Sequence, residues 1–216
     1  YREVHQKAAV LYRKQARFKL ITTGKISQKN LFFEEQHLER LRKASRYFAF
    51  PFDSENLKQK IEEECHACDA NQDYRLRISL DKSGEIEVDC QVLTPLSLSF
   101  CQAKLCLQEA NLQQAFTYFK TTHRPHLSLG KQEKIYHNKL GELLETSIGN
   151  LVLKMNGKLY TPPSQLGLLQ GIYRQHLLGT GQVEEKALTI EDLKGAEAIY
   201  GCNAVRGLYE LSVREN

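Results

Sequence analysis

Lys120 closes an apolar step at Phe119 and stands before two hydroxyls, Thr121 and Thr122. A lysine drawn partly out of water is a nucleophile toward carbonyls, whereas one that marks a strand end in solvent is only a charge. Glu145 follows Leu143-Leu144 and precedes Thr146-Ser147 and an apolar run. A half-buried carboxylate needs a partner, for which a protonated pyridine nitrogen is one candidate; a solvated glutamate at an element boundary is the other reading. In Gly167-Leu168-Leu169-Gln170-Gly171-Ile172-Tyr173-Arg174 a glycine stands where a helix starts. The amides of Ile172 and Tyr173 are then placed to receive an anion such as phosphate, although the Walker and dinucleotide fingerprints are both missing. Arg40, in His37-Leu38-Glu39-Arg40-Leu41, flanks the apolar stripe of a helix. It turns either inward to a phosphate or outward to solvent, and Gln36, His37, Lys43 and Ala44 offer it no carboxylate on its own face.

These residues need elements to hold them. Val4, Ala8, Leu11 and Tyr12 recur at helical spacing in Tyr1–Gln15. A strand over Arg17–Thr22 is expected to end at Thr23-Gly24-Lys25. Leu38, Leu41, Ala44 and Phe48 predict a helix over Glu34–Tyr47, and a more polar one spans Glu55–Ala67. Tyr74–Leu80 alternates apolar with polar residues, turns at Asp81-Lys82-Ser83-Gly84 and returns through Ile86, Val88 and Cys90 as a hairpin. Lys104–Gln108 reads as a further strand. Beyond Phe116 glycines and turns are denser. Leu151–Leu153 and Leu159-Tyr160 flank Asn156-Gly157, a helix starts at Gly171, Thr189-Ile190-Glu191-Asp192 caps another, and strands lie around Ala198–Tyr200 and Leu208–Val213.

The 216 residues, 41% hydrophobic and 26% charged, can bury a real core, in one large α/β domain or two small ones. A net charge of +4 spread in alternating signs lacks the basic stripe of a nucleic-acid binder. The longest charge-free stretch, Cys90–Ala103, is broken by Pro95 and too polar to span a bilayer, and Tyr-Arg-Glu-Val-His is no secretory signal, so the expected location is cytoplasmic. The start at Tyr1 instead of Met suggests either a trimmed chain or a segment of a longer protein. Six cysteines invite a disulfide framework that a chain with this core does not need, so reduced thiols are expected. Cys65-His66-Ala67-Cys68 has metal-like spacing without the second pair that four-coordinate zinc requires, so no metal site is expected.

In their order along the chain, these features resemble the class IV pyridoxal-phosphate enzymes. The resemblance runs through His37-Leu38-Glu39-Arg40-Leu41 with Ala44-Ser45, Lys120-Thr121-Thr122-His123-Arg124, and Glu145-Thr146-Ser147-Ile148-Gly149-Asn150. It continues in Thr161-Pro162-Pro163, Gly167-Leu168-Leu169, Gly171-Ile172-Tyr173-Arg174 and Asn203-Ala204-Val205-Arg206-Gly207. It covers nearly the whole chain, and between Glu145 and Gly207 it is most similar to aminodeoxychorismate lyases, including those fused to aminodeoxychorismate synthase. Branched-chain and D-amino-acid aminotransferases share the scaffold. The sequence departs from the pattern at Leu127, where a tyrosine is common, and at Cys202, where a threonine is usual.

The resemblance implies an α/β (α+β) chain with the two-domain D-amino-acid aminotransferase-like fold. Its domains would be a small one over 1–114 and a cofactor-binding one over 115–216, with the cofactor in the cleft. It implies pyridoxal 5'-phosphate as cofactor, with Lys120 as the lysine that joins it covalently, Glu145 facing its ring nitrogen, and Arg40 on its phosphate. Ile172 and Tyr173 match the helix-start amides on that phosphate, Asn203 falls in the loop completing the phosphate cup, and Arg77 matches a substrate-carboxylate arginine. The implied activity is elimination of pyruvate from 4-amino-4-deoxychorismate to give 4-aminobenzoate for folate synthesis, by a homodimer, with an aminodeoxychorismate synthase as a further partner. A class IV aminotransferase acting on D-amino or branched-chain amino acids, and a homologue that binds cofactor without turnover, are the alternatives. The mild positive charge suits an anionic cofactor and a dicarboxylate substrate.

Overall fold

The computed structural model describes residues 18–108, 115–128 and 130–213. The helix expected over Tyr1–Gln15 lies outside these residues. The chain divides into two compact units, one holding the described residues up to Thr94 together with Phe119–His123, the other Pro95–Tyr118 and Arg124 onward.

The first unit is a sheet of four strands in the order β2-β1-β3-β4, formed by β1 (Leu20–Ser27), β2 (Asn30–Leu31), β3 (Tyr74–Leu80) and β4 (Ile86–Val92). All its pairs are antiparallel. Alternation decides which side is covered: Leu76, Ile78 and Leu80 are buried while the residues between them are half-exposed. Two helices accompany the sheet, α1 (Glu34–Phe48) and α2 (Ser54–Ala67). On α1 the predicted stripe of Leu38, Leu41, Ala44 and Phe48 is buried, with Glu34 and Glu35 complementing the dipole at its start. Asp53 caps α2 by accepting from the amides of Glu55 and Asn56. The hairpin turns as expected, Asp81 Oδ1 accepting from the amides of Ser83 and Glu85.

One expectation fails here. Thr23-Gly24-Lys25 does not end a strand but lies inside β1, with Gly24 opposite Leu76 on β3. The glycine serves a close approach: a Cβ at this position would come within 2.6 Å of His37 Nε2.

The second unit begins with α3 (Leu98–Cys101), β5 (Gln102–Leu107), α4 (Ala115–Tyr118), β6 (Lys134–His137) and β7 (Leu143–Thr146). It continues with β8 (Asn150–Met155), β9 (Lys158–Thr161), a single 3-10 turn at Ser164–Leu166, and α5 (Ile172–Gly179). It ends with β10 (Glu184–Glu185), α6 (Ile190–Lys194), β11 (Ala198–Asn203) and β12 (Gly207–Val213). The sheet order is β10-β9-β8-β11-β12-β5-β6-β7, and a further pairing of β7 with β8 closes β8, β11, β12, β5, β6 and β7 into a ring. Ala103, Ile135, Leu143, Leu151, Leu153 and Leu211, one or two from each of five of these strands, form its buried cluster with Leu188 and Leu193. A second cluster, Val152, Leu177, Val183 and Cys202, includes Leu177 of α5.

The break expected at 114/115 is displaced. β5 pairs in parallel with β6 and β12 and so belongs to the second unit, while the segment around Lys120 pairs with the start of β1 and belongs to the first. The short strands β6 and β7 were not expected from the sequence. Cys65 and Cys68 stand at the C-terminal end of α2, and among the described residues no group of three or more His, Cys, Asp or Glu side chains is placed to hold a metal ion. No described helix is long and apolar enough to cross a membrane.

Candidate functional site

In the first unit the segment that carries Lys120 is added to the start of β1. Ile21 N donates to Lys120 O at 3.0 Å, Thr122 N donates to Lys19 O at 2.9 Å, and Thr121 lies opposite Leu20. The two hydroxyls that follow the lysine have structural work: Thr122 Oγ1 accepts from Lys19 N at 2.9 Å, and Thr121 Oγ1 donates to His123 O at 2.7 Å. They fix the backbone of the lysine and leave its half-buried side chain at the end of the strand.

Close by, fully buried His37 and Thr22 form a contact that sequence reasoning did not single out, with Nδ1 2.6 Å from Oγ1. Burial, with Arg40 and Lys120 as like-charged neighbours, lowers the pKa of His37 to about 3, so the imidazole is neutral at physiological pH. Arg40 and Lys120 are thus both within electrostatic reach of one histidine. Arg77 lies on the face of the sheet away from Thr22. It pairs with Thr23 and Asp89 and shares the other face of the sheet with Arg75, which is bonded to Asp89 at 3.2 Å.

In the second unit three segments are tied into one cluster, and the knot is Asn150. Its Nδ2 donates to Leu169 O at 2.7 Å, and its Oδ1 accepts from Gly171 N at 3.1 Å. In the strand ladder it lies opposite both Glu145 on β7 and Cys202 on β11. Glu145, 2% exposed, faces Arg124 Nη2 at 3.5 Å, an ion pair that was likewise not foreseen. Asn203 holds the next loop together: its Oδ1 accepts from Val205 N and Arg206 N, each at 3.0 Å, and its Nδ2 donates to Ile148 O at 3.3 Å. Its side chain therefore shapes the loop and links it to the turn after Glu145. Cys202 points into the core under α5, where burial pushes its thiol up to about 12, and Leu127 is buried against Tyr136 and Leu144. Arg174, 1% exposed, turns back into the unit and donates to Pro162 O at 2.8 Å and Glu185 Oε1 at 2.5 Å, binding the Thr161-Pro162-Pro163 turn to α5.

Helix α5 starts at Gly171 with no side chain capping it. Glycine is required because a Cβ would fall 2.1 Å from Asn150 Oδ1. With Gly171 N spent on Asn150, the amides of Ile172 and Tyr173 at the positive end of the helix dipole suit an anion. A buried carboxylate, an uncapped helix start and a loop braced by Asn203 form a donor and acceptor set that fits the ring nitrogen and phosphate of pyridoxal phosphate. On the first unit Lys120 supplies an amine and Arg40 a guanidinium.

Comparison with known proteins gives the family. An uncharacterized protein of Haemophilus influenzae is 35% identical over 79 residues, which are 37% of this chain and 41% of that protein. The chain thus spans about two-fifths of the length of this relative. The structure of a candidate amino-acid aminotransferase from Mesorhizobium loti is similar with a TM-score of 0.79 and 26% identity, over 91% of this chain and 100% of that one. A candidate 4-amino-4-deoxychorismate lyase from Haemophilus somnus gives a TM-score of 0.70 at 23% identity, over 90% of this chain and 100% of that one, a likeness of fold. The family described as amino-transferase class IV matches residues 19–212, and the chain belongs to this family of pyridoxal-phosphate-dependent enzymes.

Proposed function

We propose that the chain is a 4-amino-4-deoxychorismate lyase, which removes pyruvate from its substrate and leaves 4-aminobenzoate. The observation that carries a cofactor-holding role is the cluster in which Asn150 ties the strand of Glu145 to the uncapped start of α5. The choice of substrate within the family rests on the run from Glu145 to Gly207, whose motifs resemble those of the lyases.

When bound, pyridoxal phosphate supplies an electron-withdrawing ring that stabilises negative charge at the substrate carbon attached to nitrogen. Glu145 would hold the ring nitrogen. Ile172 and Tyr173 would bind the phosphate through their amides, with Arg40 as its cation, and Asn203 keeps the adjoining loop in shape. Lys120 would anchor the cofactor, and its amine would take the proton from the amine-bearing ring carbon of the substrate. It then delivers a proton to the enolpyruvyl methylene as the carbon–oxygen bond breaks, and the substrate ring becomes aromatic. Arg77 is assigned to a substrate carboxylate. On this reading the product serves folate synthesis, the working form is a homodimer, and an aminodeoxychorismate synthase supplies the substrate.

Amino transfer is the second reading, favoured by the 26% identity to the Mesorhizobium loti protein. The experiment that separates them offers aminodeoxychorismate and measures pyruvate, then offers D-alanine or branched-chain amino acids with 2-oxoglutarate. Pyruvate release selects the lyase, and amino transfer without it selects the aminotransferase. Purified protein should be yellow, and Lys120→Ala should remove the visible band. A coloured protein inactive on both substrate sets would be a cofactor-binding homologue.

A further inference from the structure

Glu145 does not sit on regular sheet. Between β6 and β7 the partners are Ile135 with Thr146 and His137 with Leu143, so two steps on β6 face three on β7. The extra residue is a bulge at Leu144-Glu145, and all four residues of β7 are buried instead of alternating. In a bulge the ladder no longer dictates where a side chain points, so the direction of Glu145 depends on what fixes the backbone on either side. On one side Leu143 N donates to Leu188 O at 2.8 Å.

On the other side the anchor is a second buried carboxylate. Glu133 has no exposed surface. Its Oε1 accepts from Ser147 N at 2.9 Å and from Ser147 Oγ, as well as from its neighbour Lys134 N at 3.1 Å. Its Oε2 accepts from Tyr209 Oη at 3.0 Å. Tyr209 Oη in turn lies 3.4 Å from Thr146 Oγ1, which accepts from Gly149 N at 3.0 Å and donates to Gly149 O at 3.2 Å. Burial first, and then the charge of Glu133, push the pKa of Tyr209 well above 10, which keeps the phenol a donor. The backbone of Glu133 is fixed too, Glu133 N donating to Phe100 O at 2.9 Å and Glu133 O accepting from Lys104 N at 3.1 Å. Gly149 and Gly201 make room: a Cβ on either would come within 3.1 Å of the Tyr209 hydroxyl. The network therefore holds every residue of the turn that leads from Glu145 toward Asn150 except Ile148, whose carbonyl accepts from Asn203.

We propose that Glu133 is a positioning residue of the cofactor site, holding the far side of the β7 bulge so that the Glu145 carboxylate stays aimed at the cofactor ring nitrogen, with Tyr209 as its relay to Thr146. The inference rests on the assignment of Glu145 to that nitrogen. A carboxylate is needed because both of its oxygens accept. Glutamine would put an NH2 against either Ser147 or Tyr209, each of which already donates.

The test titrates apo-protein with pyridoxal phosphate and follows the visible band of the lysine-bound cofactor against pH, for the wild type, Glu133→Gln, Tyr209→Phe and Glu145→Gln. Glu133→Gln should weaken cofactor binding by about tenfold. It should also move the pH midpoint of the band in the same direction as Glu145→Gln, with Tyr209→Phe giving a smaller shift the same way. A purely structural role would lower the melting temperature and leave the midpoint of the band in place, which overturns the proposal. A midpoint moved by Glu145→Gln but by neither of the other variants overturns the role of Glu133 and leaves the assignment of Glu145 standing. No shift with Glu145→Gln removes that assignment and the proposal with it. Should Glu133→Gln fail to fold, Tyr209→Phe decides: wild-type affinity and midpoint overturn the proposal. None of these readouts needs the natural substrate, so they stand apart from the choice between lyase and aminotransferase.

Discussion

At the scale of single residues, His37 has consequences that can be measured. Its pKa is lowered to about 3 in the fold against about 6.5 in the unfolded chain, so below pH 6.5 the unfolded state takes up a proton that the folded state refuses. The stability tied to this group is fully present above about pH 6.5 and is lost as the pH falls toward 3, at about 1.4 kcal/mol per pH unit. Chemical denaturation at pH 7 and pH 5 should show the wild type losing more stability than His37→Gln, and equal losses would refute a buried neutral imidazole. At this scale the glycine at the start of α5 was legible, and Glu145 is the buried carboxylate that its place after two leucines allowed. Their partners were not. Thr22 lies 15 residues from His37, Asn150 lies 21 from Gly171, and Glu133 lies 76 from Tyr209, and no local spacing reveals such pairs. Arg124 was visible in the lysine motif, but nothing in the sequence tied it to Glu145.

Elements were legible where one face of regular periodicity is buried. The stripe of α1, the hairpin of β3 and β4, and the capping residues at Thr189 emerge as read, the last as a full capping box with Asp192. The misses share a physical cause, since short strands covered on both faces, such as β7, or broken by a bulge lose the two-residue alternation that announces a strand. Gly24 reads as the end of a strand because a glycine demanded by a neighbouring side chain looks the same in sequence as one demanded by backbone geometry. The junction of β8 with the start of α5 is where the elements depend on one side chain. Asn150→Ala removes the acceptor of Gly171 N and the donor to Leu169 O. Loss of these two partly buried hydrogen bonds should cost about 1–3 kcal/mol. Because the amides of Ile172 and Tyr173 follow directly, cofactor binding should weaken as well. Thermal melts with and without pyridoxal phosphate check both, and a variant that melts lower yet gains the same increment from the cofactor would separate the brace from the phosphate site.

For the whole molecule, the division of the chain does not follow its order. The break expected near residue 114 follows from the order of the motifs in the family resemblance, and glycines and turns also become denser beyond Phe116. Strand pairing follows hydrogen bonds instead of composition, so β5 joins the ring of the second unit, and Phe119–His123 returns to the first. The consequence is a test of how the molecule can be cut. A fragment of residues 1–114 would contain β5 without β6 and β12, leaving a strand with unpaired edges that still carries Leu105 and Leu107. It would also lose the backbone partners of Lys19 and Ile21, and Phe119, whose ring lies 4.6 Å from Tyr47 and 5.3 Å from Phe48. Such a fragment should aggregate. A fragment ending at Thr94 with residues 119–123 joined to it through a glycine-serine linker should be the more soluble of the two, because it keeps its four-strand sheet and loses only strands that pair elsewhere. Size-exclusion chromatography and far-UV circular dichroism compare the pair directly. A monomeric, folded 1–114 fragment would show that the first unit accommodates β5 and would return the boundary to the place that the resemblance implied.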